Sequence, residues 1–314
     1  MEFKEYNSIT NHYQSSYVKR IVNQYPELAN AKYVLQEKID GSNWQIAVNG
    51  NEVKFGKRTS FLDENESFFD WQNTVNKPHI KGFIDFLKTK SSELNQTIVV
   101  YGEIYGDGVQ KRIKYCDGKD IKFYDVEIGG VALSPKETES FFMDNGFESL
   151  HVPVFAVVDS LQEALDYNTL IPTALWKGED PQEIEGVVIK PYNENFYDMG
   201  TGSRILIKKK NEKFAEKMRT KFKGDKKVLV GNTAEQDEFN SYITENRFLG
   251  IISKHGEMAD ANQIGKYMKL FLEDAWIDYC KDNELDPETV DGGSKKGIVS
   301  QASKPAVTII KQHC

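Results

Sequence analysis

Glu37-Lys38-Ile39-Asp40-Gly41-Ser42-Asn43 lies between two runs of strand character, Tyr33-Val34-Leu35 before it and Trp44-Gln45-Ile46-Ala47-Val48 after it. The stretch therefore reads as a strand, a small polar turn containing a glycine, and a second strand. A single lysine stands where the first strand ends, a place from which a side chain can face a pocket. A lysine at a strand end is also a common solvated charge, and K-x-D-G occurs by chance, so the rest of the chain has to decide between the two.

Working outward, Asn49-Gly50-Asn51 forms a hairpin turn into Val53-Phe55, and Lys57 and Arg58 follow at the end of that strand. Upstream, Tyr13, Tyr17, Val18, Ile21 and Val22 have helical spacing, and Pro26 stops the helix. Downstream, His79 to Lys90 is an amphipathic helix. Thr97 to Ile104 is a buried strand ending beside Glu103, Gly106 to Asp120 a Gly-rich basic loop, and Ile121 to Ile128 a strand. Ser134 caps a helix over Pro135 to Asn145, with Pro at the first helical position. Val152 to Val158, Glu185 to Lys190 and Arg204 to Lys210 are strands, the last two ending in lysine, and Ser160 to Asp166 is a short helix. From Glu235 to Lys281 the period becomes helical, with Ile264, Tyr267, Met268, Phe271, Ala275 and Tyr279 on one stripe that reads as a bundle core.

The expected class is α+β: a mainly antiparallel-sheet domain over residues 1–220, a lysine-rich linker over 221–234, and a small all-helical domain over 235–314. The 314 residues, 39% hydrophobic, suffice for two cores. A net charge of −8 argues against coating nucleic acid through bulk charge, while 40 Lys and Arg leave room for a local basic groove. Three unpaired cysteines, scattered histidines and the absence of a long apolar run or a signal-type N-terminus imply no zinc site, no membrane span and a cytoplasmic setting.

Five polar elements recur beside strands: Lys38; Arg58; Glu103 in Tyr101-Gly102-Glu103; Glu185 and Lys190 in Glu185-Gly186-Val187-Val188-Ile189-Lys190; and Lys208 and Lys210 in Ile207-Lys208-Lys209-Lys210. Strand alternation puts Lys208 and Lys210 on one face and Lys209 on the other. Cations near Lys38 would depress its pKa and supply a neutral amine, and the same cations would neutralise a polyphosphate. The two carboxylates would hold a divalent metal or a sugar hydroxyl. Each residue alone is also explained as a surface charge or a strand-edge guard. Their occurrence together, in order, favours an anion pocket.

These segments, with Phe123-Tyr124-Asp125, resemble motifs I, III, IIIa, IV and V of the covalent nucleotidyltransferases, whose sheet domain is ATP-grasp-like. Tyr6 to Tyr13, Gly106 to Lys111 and the stretch around Asn246-Arg247 and Ile251 to Lys254 resemble the RNA ligase 2 branch, that of bacteriophage double-strand RNA ligases and trypanosome editing ligases. The resemblance implies an ATP-dependent RNA ligase using Mg2+ or Mn2+ that joins 3′-hydroxyl and 5′-phosphate RNA ends at duplex nicks. Such a protein would act as a monomer, in a host cytoplasm if phage-encoded.

The resemblance also assigns roles. Lys38 carries AMP, Tyr124 stacks on adenine, and the backbone at Glu37 and Ile39 reads the base. Glu103 holds the ribose, Asn43 and Arg58 bind near sugar and phosphate, and Lys190, Lys208 and Lys210 contact phosphates. Glu185, with Glu103, places the metal. Independently of the resemblance, Lys111, Arg112 and Lys114 of the basic loop are candidate phosphate contacts or, equally, solvated loop charges. Asp40 stands where related phage ligases have histidine, and Tyr124 replaces a phenylalanine and brings a hydroxyl that needs a partner. The rival readings are a DNA ligase or a capping-type guanylyltransferase, and a non-catalytic RNA-end-binding protein.

Overall fold

The computed structural model describes residues 1–217, 234–258, 260–283 and 285–313. They divide into two compact units, Met1–Asn211 and Glu212–Cys314. The segment expected as a linker, 221–234, lies outside the described residues except for its last member.

The first unit contains the strands β1 (Thr10–Asn11), β2 (Tyr33–Glu37), β3 (Ser42–Asn49), β4 (Glu52–Gly56), β5 (Ile98–Gly106), β6 (Lys119–Ile128), β7 (Val131–Ala132), β8 (Val154–Val158), β9 (Gly186–Pro191) and β10 (Ile207–Lys210). They form two sheets, in the orders β1-β10-β9-β2-β8 and β4-β3-β5-β6-β7. Every pairing is antiparallel except that of β1 with β10. Its helices are α1 (Ser15–Gln24), α2 (Trp71–Val75), α3 (Pro78–Leu94), α4 (Pro135–Met143) and α5 (Leu161–Asp166). Gly50, at φ +57°, makes the β3–β4 hairpin turn. Ser134 caps α4 with a complete capping box: its Oγ accepts from the Glu137 N–H at 3.2 Å, and the Glu137 carboxylate accepts from the Ser134 N–H at 2.7 Å. Tyr13, expected on the first helix, precedes α1 and is exposed.

Period-2 alternation sorts each strand into an apolar and a polar face. In the second sheet, Trp44, Ile46, Val48, Ile98, Val100, Ile104, Ile121 and Phe123 pack into a core beneath α2, α3 and α4 with Trp71, Phe83 and Phe142. In the first sheet, Tyr33, Leu35, Val187, Ile189 and Ile207 pack with Tyr17, Ile21, Leu161 and Ala164 of α1 and α5. The alternate positions, Gln36, Val188, Lys190, Lys208 and Lys210 on one sheet and Asn43, Tyr101 and Glu103 on the other, take the opposite faces. The alternation that buries the apolar residues therefore delivers the polar ones to a common seam.

The second unit contains α6 (Ala234–Asn240), α7 (Glu245–His255), α8 (Ile264–Asp282), α9 (Gly292–Val299) and α10 (Ser303–Lys311). Tyr267, Phe271, Ala275 and Tyr279 of the expected stripe are buried with Phe239, Phe248 and Trp276, and Ile264 and Met268 pack at the margin. The buried Arg247 guanidinium donates to Asp274 at 2.6 Å and Asp278 at 2.9 Å, so a charged group inside this small core is paired. Asn246 Nδ2 donates to the carbonyls of Lys213 and Ala215 at 2.9 and 3.0 Å, which ties the turn Glu212–Phe214 to this helical unit.

Candidate active site

Lys38 leaves the end of β2 with its N–H bonded to the Gly186 carbonyl at 2.9 Å, so the start of β9 sets its backbone. Its Nζ donates to Glu185 Oε2 at 2.6 Å, and Lys210 Nζ reaches Glu185 Oε1 at 2.8 Å. One buried carboxylate thus spans two lysines drawn from different strands. Burial opposes the charge of Glu185, but Lys210 first, then Lys38 and Arg112, overcome it and hold the carboxyl at about 2. The immediate neighbour of Lys38 is therefore a carboxylate rather than the ammonium cluster expected from the sequence. The register that brings Lys210 close places Glu185 between them.

Lys209 points the other way, its Nζ on the Leu165 carbonyl at 2.7 Å, and Lys208, opposite Val188, shares the face of Lys210. Two glycines permit this backbone approach. A Cβ on Gly186 would stand 2.2 Å from the Lys209 carbonyl oxygen, and one on Gly41 2.4 Å from that of Ile104.

On the facing sheet, Asn43 pairs with Glu103 across β3 and β5, which puts both side chains on one face. Burial pushes the Glu103 carboxyl up to about 8, with Glu185 and Asp40 acting the same way and Lys38 and Arg58 against. Tyr101 faces Asp125 and Gly102 faces Phe123, which leaves Tyr124 as the extra residue of a β-bulge. The bulge frees Tyr124 from strict alternation, and its hydroxyl accepts from Asn43 Nδ2 at 2.5 Å. This is the partner that the extra hydroxyl required. Asn43 Oδ1 is buried without a hydrogen-bond partner among the described residues.

Several expected residues take other positions. Lys190 is 1% exposed, with Nζ on Asp125 Oδ2 and on the Tyr124 carbonyl, both at 2.9 Å, and 5.3 Å from the centre of the Tyr124 ring. It supports the bulge from beneath, because Asp125 captures it before an open pocket can. Arg58 is held by Glu5 at 3.0 Å and Ser8 at 3.5 Å. The Glu37 carboxylate turns away to accept from the Thr173 hydroxyl and, at 3.1 Å, the Ala174 N–H, and burial raises it to about 7 against those bonds. Ile39 is buried. Lys114 is held by Asp107 at 3.2 Å and Asp117 at 2.9 Å, within its own loop.

Partnerships that the sequence does not signal complete the seam. Tyr6 donates to Asp125 and packs its ring 5.0 Å from Tyr124, Arg204 donates to Asp125 at 3.2 Å, and Arg112 holds Asp40. All are charge or aromatic partners across long stretches of chain, which spacing does not encode. Among the described residues, no group of three or more His, Cys, Asp or Glu stands in a metal-holding arrangement, and no helix is long and apolar enough to cross a membrane.

Two antiparallel-rich sheets sharing a lysine-carboxylate seam, followed by a helical unit, make up a nucleotidyltransferase type of ligase fold. Residues 31–210 match the RNA ligase family and residues 232–306 match the T4 RNA ligase 2 C-terminal domain. The chain belongs to the RNA ligase family, in its RNA ligase 2 branch. A curated relative, the Early 65 kDa protein of Autographa californica nuclear polyhedrosis virus, is 26% identical over 198 residues, 59% of this chain and 33% of that protein. Among solved structures, Naegleria gruberi RNA ligase with pyrophosphate is 18% identical at a TM-score of 0.48, covering 68% of this chain and 58% of that one. A mutant of the same ligase with AMP and manganese gives 0.49 at the same identity and coverage. The chain spans about a third of the viral relative and somewhat over half of the Naegleria ligase.

Proposed function

We propose that the protein is an ATP-dependent RNA ligase that joins 3′-hydroxyl and 5′-phosphate ends, at nicks in duplex RNA, through a lysyl-AMP intermediate on Lys38. The observation that carries this reading is the Lys38–Glu185–Lys210 arrangement in a buried seam of an RNA ligase family chain. Lys38 attacks as the free amine, so its ion pair with Glu185 opens and the ammonium gives up a proton to water first; a second proton leaves the nitrogen to water as the phosphoramidate forms. Its nitrogen then bonds the α-phosphorus of ATP while the bond to pyrophosphate breaks, and Lys208 and Lys210 balance charge on the phosphates. The AMP then passes to an RNA 5′-phosphate, and a 3′-hydroxyl displaces it to form the phosphodiester.

Tyr124 provides the aromatic face for the base, and the backbone at Glu37 and Ile39 its edge. Asn43, Glu103 and Arg58 lie beside the sugar and phosphate. Glu185, once Lys38 leaves it, and Glu103, which a cation's charge would help to ionise, would hold Mg2+ or Mn2+, a cation that takes one or two protein carboxylates and completes its shell with phosphate oxygens and water. Such a cation would offset the charge developing on the leaving pyrophosphate. Duplex RNA would be read through A-form shape and 2′-hydroxyls, not sequence.

Incubation with labelled ATP or GTP followed by denaturing electrophoresis tests the first step. Label from ATP alone, lost in Lys38→Ala, is expected; label retained by that variant refutes the mechanism. Sealing of RNA nicks compared with DNA nicks and single strands then tests the substrate.

A further inference from the structure

The loop between β5 and β6 is closed at its neck and packed inside. The Asp107 N–H donates to the Gly118 carbonyl at 2.7 Å, and the Gly118 N–H returns to the Asp107 carboxylate at 2.8 Å. Gly106 and Gly118 make this neck at φ +106° and +74°, and Val109, Ile113 and Tyr115 are buried. A loop built this way presents its side chains from a fixed body.

Two of those side chains converge on Asp40, two residues beyond Lys38. Arg112 Nε donates to Asp40 Oδ2 at 2.8 Å while its Nη2 takes the other oxygen, a two-pronged grip on a buried carboxylate. The Asp40 N–H donates to the Tyr115 hydroxyl at 2.7 Å. Burial and the nearby Glu185 carboxylate act against the Asp40 charge, and the Arg112 guanidinium acts for it, so the clamp also keeps this buried carboxylate paired. The grip already occupies the guanidinium fork, which sets aside the sequence expectation of Arg112 as an RNA phosphate contact.

We infer that Arg112 is a positioning residue for Lys38: from the packed 107–118 loop it clamps Asp40 and so fixes the turn that follows the nucleophile. The inference rests on Lys38 being the adenylylated residue. Lysine at position 112 keeps the charge but not the fork, so it restores only part of the grip.

The test compares Arg112→Gln, Arg112→Lys, Asp40→Asn and the Gln/Asn double variant in the full chain. Single-turnover labelling from ATP should fall about 10- to 100-fold in Arg112→Gln at an unchanged half-saturating ATP concentration, because geometry rather than binding is lost. Arg112→Lys should recover part of that loss. If Arg112 acts through Asp40, the double variant should lie within about 2-fold of the slower single variant, not at the product of the two losses. Hydrogen exchange supplies a readout that needs no activity: amides over 37–43 should exchange faster in Arg112→Gln while those over 98–104 in β5 do not. Wild-type labelling rates in Arg112→Gln, multiplicative losses in the double variant, or unchanged exchange over 37–43 would overturn the inference. A wild-type protein that takes no label refutes the proposed function instead, and the exchange comparison still decides whether Arg112 holds the turn.

Discussion

Asp125→Asn probes the inter-sheet polar cluster most directly. Asp125 serves three donors: Oδ2 accepts from Lys190 at 2.9 Å and from the Tyr6 hydroxyl, and Oδ1 from Arg204 at 3.2 Å. Asp125 and Lys190 are 1% exposed and Arg204 5%, so water cannot replace a lost partner. An amide keeps one acceptor oxygen and turns an N–H2 toward donors. Whichever way it flips, either Arg204 or the Lys190 and Tyr6 pair loses its acceptor, and two buried cations lose their counter-charge. Removing one partner of a buried pair costs about 3–5 kcal/mol. For a unit of this size each kcal/mol lowers Tm by about 2–4 °C, so scanning calorimetry should register a fall of about 6–20 °C.

Acid adds a second signature. Burial acts against the Asp125 charge, but Arg204 and then Lys190 hold its carboxyl below the ordinary range. A depressed acid contributes stability that is present above its unfolded pKa, about 3.9, and is lost as pH falls through the folded value. The Tm gap between wild type and variant should therefore narrow below about pH 4. A Tm loss under about 2 °C at neutral pH, or a gap that widens in acid, would refute this reading of the cluster.

Three further outcomes follow from the seam. Lys210→Ala should slow lysine adenylylation at least about tenfold while Lys209→Ala stays within about threefold, since only Lys210 holds Glu185; equal losses in single-turnover labelling would contradict the strand faces. Tyr124→Phe keeps the ring and removes the acceptor of Asn43 Nδ2, so labelling should drop only about 2- to 10-fold, against a far larger loss in Tyr124→Ala. Glu103, held near 8, folds more readily protonated, so it destabilises the empty protein increasingly as pH rises from its ordinary value toward 8. Glu103→Gln should accordingly raise Tm more at pH 8 than at pH 5 in a fluorimetric melt while abolishing labelling.

The two-domain α+β class, most strand and helix positions, and the assignment of Lys208 and Lys210 to one face and Lys209 to the other were legible in the sequence, because they depend on local period, turn residues and caps. Lys38, Glu185 and Lys210 were legible as candidates for the same reason: each adjoins an apolar strand whose alternation is written in neighbouring letters. Which group meets which was not legible. Lys38 and Glu185 are 147 positions apart, Asp125 and Arg204 79, and Asp40 and Arg112 72, and a partner at that range depends on sheet register.

The bulge that projects Tyr124 and drops Asp125 onto Lys190 breaks the very alternation on which a sequence reading relies, so the pairing of Lys190 with Asp125 and its place against the Tyr124 ring cannot be read from neighbouring letters. The same limit applies to the opening stretch. Its letters identify a lysine after a strand, whereas the carboxylate that pairs with it and the arginine that clamps its turn come from β9 and the 107–118 loop, brought there by hydrogen-bonded strands and a packed loop neck that only the folded chain creates.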